Sequence, residues 1–291
     1  MNDRTERPEI VVGIDPDVDF EGTGLLPVHW AVEEAERRGT GLRLVVAVPP
    51  PHDTQHVDDS ARFQTQAIAG RNALDGAADR VREHGPGIQV ATALLEGQPA
   101  QVMASLSARA AMVVLGSRHL SRTEEFLSAG SLVVPVTAQA RCPVAVVGGA
   151  EHDSQAVPYL VVGVDGSEAS RAALAFAAEE AHLRGCALRT VAVWQPPVFT
   201  RRPDPAALHT AESELLQELT APVTERYPDV PLTHDVASGS PVEVLAEAAE
   251  HALAVVVGRR GRGGYSGMRV GSVVHGLLHR AHCPVVTVPE P

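Results

Sequence analysis

The chain has 291 residues, 44% of them hydrophobic and only 3% aromatic, which is enough for two domains of ordinary size with filled cores. Its 24 basic against 36 acidic residues give a net charge of −12, a field that repels phosphate backbones and anionic bilayers, so nucleic acid and membrane surfaces are excluded as main partners. Every basic residue is Arg and none is Lys, which removes the P-loop lysine, Schiff-base chemistry and any lysine general base.

From the N-terminus, MNDRTERPEI is charged and lacks the apolar core of a signal peptide, and no later run reaches the ~18 apolar residues of a membrane helix. With three cysteines and no CxxC pair, a cytoplasmic protein is expected. PEIVVGIDPD then carries a β-branched strand into Asp15-Pro16-Asp17. PPPHDTQHVDDS, after the second strand, has the composition of a mobile loop at the mouth of a site, serving as a lid or as a plain connection. EGQPAQVMASLSARAAMVVLGSR follows, then GSRHLSRTEEFLSAGS, and RCPVAVV closes the half.

The second half repeats the first. PYLVVGVDGS answers PEIVVGIDPD, SGSPVEVLAEAAEHALAVVVGRR answers the EGQPAQ stretch, and HCPVVTV answers RCPVAVV. This register, sustained over a whole half, is domain duplication, with domains at 1–149 and 158–291 joined by the polar seam GGAEHDSQAV. Within each half, β-branched runs alternate with Ala-rich stretches of helical period, the mark of βαβ units around a buried parallel sheet. In the second half, strands are predicted at 160–164, 187–193, 232–236, 254–257 and 285–288. Helices are predicted over 206–226 and from Ser240-Pro241, with Ser as cap and Pro in the first turn. QPPVFTRRPDP is a second loop of the lid-or-connection kind. The fold class is α/β: two tandem Rossmann-like domains, each a five-stranded parallel sheet with helices on both faces, binding ligands at the carboxyl ends of strands.

The predicted fourth strand of the second half runs into VVVGRRGRGGYSGMRVGS. Gly258, Gly261 and Gly271-Ser272 follow it, the last pair opening a helix whose free N–H groups and dipole suit phosphate. Arg259, Arg260, Arg262 and Arg269 would supply compensating charge. Glycines that merely turn the chain, with arginines standing in water, account for such a loop equally well when it is considered alone. The first strand adds Asp165-Gly166-Ser167 at the same sheet edge, and a carboxylate, which only accepts hydrogen bonds, suits ribose hydroxyls or an adenine amine. Sugar and base at one end with phosphates at the other describe a nucleotide.

The pattern G-x2-G-x9-G-[ST] after a strand, an Asp closing the first strand and CPV before the last one resemble the universal stress protein family, in its tandem two-domain form. The resemblance covers essentially the whole chain. It implies an ATP-binding, stress-responsive regulator rather than a dedicated catalyst, with ATP carried as its magnesium complex. It further implies that Asp165, with Gly166 beside it, contacts the ribose and adenosine end, and that the Val193 backbone reads the adenine edge. Gly258, Arg260 and Gly261 would meet the sugar and first phosphates, and Gly271, Ser272 and Val273 the phosphates. Pairing of the two domains through their last strands, and a homodimer, are implied as well.

The copies differ. Asp15, Gly116, Arg118, Gly130 and Ser131 keep the motif in the first half, but His119 replaces the second glycine, and Glu124 and Glu125 bring carboxylates where arginines stand in the other copy. The second domain is therefore expected to be the stronger site. Elsewhere, His275, His279, His282 and Cys283 read as a helix face near a domain contact rather than a metal site. An ATPase needs a positioned water, a metal and usually a base, and the stretch from Gly258 to Ser272 holds no carboxylate. Slow ATP hydrolysis, binding of AMP or a cyclic nucleotide, and a scaffold with vestigial pockets remain as alternatives.

Overall fold

A computed structural model of the chain describes residues 8–17, 23–50, 57–117, 132–148, 157–194, 205–262 and 269–291. The chain divides into two compact units, Met1–Gly148 and Gly149–Pro291. Among the described residues no helix is long and apolar enough to cross a membrane.

The first unit runs β1 (Ile10–Gly13), α1 (Leu26–Arg38), β2 (Leu42–Val48), α2 (Val57–His84), β3 (Val90–Glu96), α3 (Pro99–Leu106), β4 (Met112–Gly116), α4 (Val133–Gln139) and β5 (Val144–Val147). The strands lie in the order β3-β2-β1-β4-β5, all parallel. Helices α1 and α2 pack together on one face, α3 and α4 on the other. The proline-rich loop after β2 is shorter than its composition suggests, because α2 already begins at Val57.

The second unit repeats this plan with β6 (Tyr159–Gly163), α5 (Glu168–Arg184), β7 (Ala187–Trp194), α6 (Pro205–Arg226), β8 (Leu232–Ser238), α7 (Pro241–Ala248), β9 (Ala254–Gly258), α8 (Ser272–Arg280) and β10 (Val285–Val288). Its parallel order is β8-β7-β6-β9-β10. Strand order reverses between β6 and β9, and open α/β sheets bind their ligands at such a reversal.

Local sequence explains the elements that frame this point. β9 is AVVVG with its first four residues buried, the continuous apolar run of a strand covered on both faces. Helix α5 buries Ala169, Ala173, Ala177 and Ala181, one per turn, and these small side chains let it lie close on β6 and β9. It starts at Ser167, whose hydroxyl accepts the Ser170 N–H (3.2 Å), and stops at Gly185 in the left-handed conformation (φ 60°). Helix α1 stops in the same way at Gly39 but has no side-chain cap at Leu25. Beneath the second unit's crest, Val161, Val255, Leu245, Val274 and Leu277 form one apolar cluster between sheet and helices.

One sequence expectation is corrected here. Ser240 occupies the N-cap of α7 and Pro241 the first turn, but the Ser240 side chain makes no capping hydrogen bond. Proline at the first helical position carries no N–H, so the helix start needs one donor fewer satisfied.

Candidate functional site

A cavity of about 540 Å³ opens at the carboxyl ends of β6, β7 and β9 in the second unit, within the usual range for small-molecule sites. Its apolar floor includes Val164, Val191, Val193 and Leu245. Val193, expected at the base end, thus stands at the wall.

Just beyond β6, Asp165 lines the same cavity. Its Oδ1 accepts the Ser167 main-chain N–H (3.0 Å) and its Oδ2 accepts the Arg262 main-chain N–H (2.8 Å), a contact spanning 97 residues of sequence. Burial alone pushes a carboxyl up. Here hydrogen bonds from the Ser167 and Ser170 hydroxyls and from the Arg262 and Ser167 main chain outweigh burial and hold Asp165 below the usual carboxylate range. The group is therefore an anion at neutral pH, able to accept hydrogen bonds only.

Beside it runs the segment after β9. Gly258, Arg260 and Gly261 line the cavity, and Gly271, Ser272 and Val273 line it at the start of α8. The N-cap of α8 is Gly271, whose own N–H donates to the Arg259 carbonyl (2.9 Å). The first helical bond is that of the His275 N–H to the Gly271 carbonyl (3.1 Å). The amides of Ser272, Val273 and Val274 precede it, so three N–H groups at the positive end of the helix dipole belong to residues at the cavity wall. Such a helix end takes anions.

The glycines turn out to have separate reasons. A Cβ on Gly258 would lie 2.6 Å from the Ala169 carbonyl carbon and 2.8 Å from its Cβ, so Gly258 is required by the approach of α5 to the end of β9. A Cβ on Gly261 would lie 2.5 Å from Asp165 Oδ2. Gly166 has φ +77° and is not among the residues at the cavity wall; the Arg262 guanidinium lies against it, with Nη2 2.0 Å from where a Cβ would be.

The arginines divide likewise. Of the four arginines expected to supply compensating charge, Arg260 and Arg262 line the cavity and Arg259 and Arg269 do not. Arg260 Nη2 pairs with Glu290 Oε2 at 2.8 Å. Burial, then the neighbouring Arg260, pulls the Arg259 guanidinium below its ordinary value, with Glu290 acting the other way. Glu212 of α6 is a cavity residue that motif reasoning missed, because α6 carries no part of the glycine pattern.

In the first unit, Asp15 follows β1 as Asp165 follows β6, and its Oδ1 accepts the Asp17 N–H (2.9 Å). Gly116 ends β4, and a Cβ there would meet Pro27 Cγ at 3.1 Å rather than main chain. Helix α4 opens at Val133, which aligns with Val274, already inside the first turn of α8. Arg118, Gly130, Ser131, His119, Glu124 and Glu125 lie outside the described residues.

His275 and His279 set their rings edge to face at 5.0 Å on α8. Among the described residues no group of three or more His, Cys, Asp and Glu side chains is placed to hold a metal. Cys142 and Cys283 are buried, and burial pushes both thiols up to about 12.

The universal stress protein family profile matches residues 7–148 and again residues 159–289. The chain belongs to the universal stress protein family. It is a tandem member, with one family domain per unit. Universal stress protein Rv2005c of Mycobacterium tuberculosis is 34% identical to it over 298 residues, covering 97% of each chain. Universal stress protein Rv2623 of the same organism is 33% identical over 294 residues, covering 97% of this chain and 96% of its own. Among solved structures, a universal stress protein from Archaeoglobus fulgidus superposes with a TM-score of 0.73 at 16% identity, covering 98% of this chain and 97% of that one. That likeness establishes the tandem Rossmann-like fold of this universal stress protein.

Proposed function

We propose that this universal stress protein is an ATP-binding regulator whose working site is the second unit's cavity. The observation that carries the reading is one cavity lined by two groups of opposite character: the Asp165 carboxylate after β6, and Arg260 with the residues that carry the α8 amides. The carboxylate suits ribose hydroxyls, the helix end suits phosphates, and Val191 and Val193 offer apolar surface to a base. Mg²⁺ enters this reading on the triphosphate's own oxygens.

Occupancy, rather than turnover, is the output in this reading, exercised in the cytoplasm. The strand runs VAVV and VVTV end the strand order of their units, and such apolar edges support the expectation of pairing and of a homodimer, which light scattering checks.

The test is to purify the full chain, release bound small molecules with acid and quantify nucleotide, beside Gly271→Asp and Gly130→Asp variants. A Cβ on Gly271 would lie 3.3 Å from the Arg259 carbonyl oxygen, which asks for a small shift of main chain, and Asp is a good helix cap, so Gly271→Asp should fold, as a thermal melt checks, while placing a negative charge where phosphate would sit. The expected result is near-stoichiometric ATP in the wild type, lost in Gly271→Asp and kept in Gly130→Asp. AMP or a cyclic nucleotide in that fraction would change the ligand and leave the site. Neither retention nor uptake of any adenine nucleotide would end the reading.

A further inference from the structure

Three observations meet at one carboxylate. Asp165 Oδ2 accepts the main-chain N–H of Arg262 (2.8 Å), while Oδ1 holds the Ser167 N–H of its own turn (3.0 Å). A Cβ on Gly261 would stand 2.5 Å from that same Oδ2, so glycine lets the segment come this close. The Arg262 guanidinium closes over Gly166 from the other side.

We infer that Asp165 is a positioning residue for phosphate: it clasps residues 258–262 to the end of β6 and thereby sets the anion-binding side of the cavity, besides any contact it makes with a sugar. The inference rests on the nucleotide reading above. An ionised carboxylate has about four lone-pair sites, and the Ser167 and Ser170 hydroxyls draw on those that the two main-chain donors leave, so a sugar hydroxyl would take the place of a serine. The two roles differ in which ligands feel the loss. A carboxylate that only touches ribose matters to ligands that have ribose, whereas one that holds the segment matters equally to a bare polyphosphate. The start of the segment is held on its other flank, because the Gly271 N–H is tied to the Arg259 carbonyl (2.9 Å) and the Arg259 N–H to that of Val288 (2.8 Å). Among the described residues, the Asp165 bond ties the end of the segment, at Arg262, to the turn after β6.

Asp165→Asn and Gly261→Ala approach the clasp from its two sides. Asn presents one carbonyl oxygen and an NH₂ to two N–H donors, so at most one bond survives. Ala at 261 pushes the carboxylate away without altering its charge.

The experiment titrates the full chain with ATP and, separately, with inorganic tripolyphosphate. It also follows exchange of the Arg262 amide by hydrogen–deuterium exchange. The expected result is a loss of roughly tenfold or more in tripolyphosphate affinity in Asp165→Asn, matched for ATP, with faster Arg262 exchange. Gly261→Ala should give the same pattern, and the double variant should be no worse than either single one. Unchanged tripolyphosphate affinity in Asp165→Asn beside weakened ATP overturns the clasp, as does wild-type Arg262 protection in both Asp165→Asn and Gly261→Ala. If the wild type takes up neither ligand the nucleotide reading falls, and the Arg262 exchange alone decides the clasp.

Discussion

Pro16 and Gly166 occupy the same place in their two units, one residue past the Asp that follows the first strand, and they demand opposite backbone conformations. Gly166 sits at φ +77°, and proline is locked near −65°. The first unit keeps the Asp15–Asp17 turn bond but cannot reproduce the turn over which Arg262 lies.

Gly166→Ala should therefore destabilise the second unit by about 1 kcal/mol, the cost of a left-handed non-glycine residue, since the Arg262 guanidinium it meets is the free end of a flexible side chain. Gly166→Pro should cost more. Pro16→Gly should lower the stability of the first unit by about 0.4–1 kcal/mol by loosening its unfolded state. Urea denaturation of the full chain, followed by separate probes for the two units, measures all three.

A second contrast lies at the ends of β4 and β9. Gly258→Ala drives a Cβ into the main chain of Ala169, which cannot swing aside, and should cost about 1–3 kcal/mol by overpacking. Gly116→Ala meets the Pro27 ring at 3.1 Å and should cost clearly less. The shift in each unfolding midpoint reports the difference.

Glu290 holds Arg260 in an ion pair and would compete for it with a phosphate bound in the cavity. The pair is partly exposed, so breaking it should cost the fold at most about 1 kcal/mol. Glu290→Gln should tighten ATP roughly two- to fivefold, with the gain fading at high salt. Calorimetric titration at two ionic strengths checks both statements.

The Asp165 carboxyl is held below its ordinary value in the folded chain. A depressed folded pKa stabilises above the unfolded value and is lost as pH falls through the folded one. The stability difference between wild type and Asp165→Asn should be flat from about pH 5 to 8 and shrink below about pH 4, where the unfolded carboxyl and then the folded one take up protons. Thermal melts across that range give the curve.

Periodicity carried most of the fold. The strand predicted at 285–288 matches β10 in full, and those at 187–193 and 254–257 fall within one residue of β7 and β9, because β-branched runs between Ala-rich stretches leave few alternatives. The site was legible where a motif marks the main chain: Asp165, Gly258, Gly261 and Gly271 share one cavity. What sequence did not show is which atoms make each glycine necessary. Gly258 answers to Ala169 and Gly261 to Asp165, and both partners are distant in sequence. Nor does local spacing reveal that Arg259 and Arg269 stand off the cavity wall while Glu212 stands on it, since that depends on helix packing.

The bond between Asp165 and Arg262 also orders events during synthesis. The carboxylate leaves the ribosome 97 residues before the amide it holds, and the α8 amides come later still. A nascent chain ending before β9 carries the cavity residues from Gly163 to Leu245 but neither the 258–262 segment nor the start of α8. A ligand that needs both Asp165 and the start of α8 would therefore stabilise only a second domain that is nearly complete.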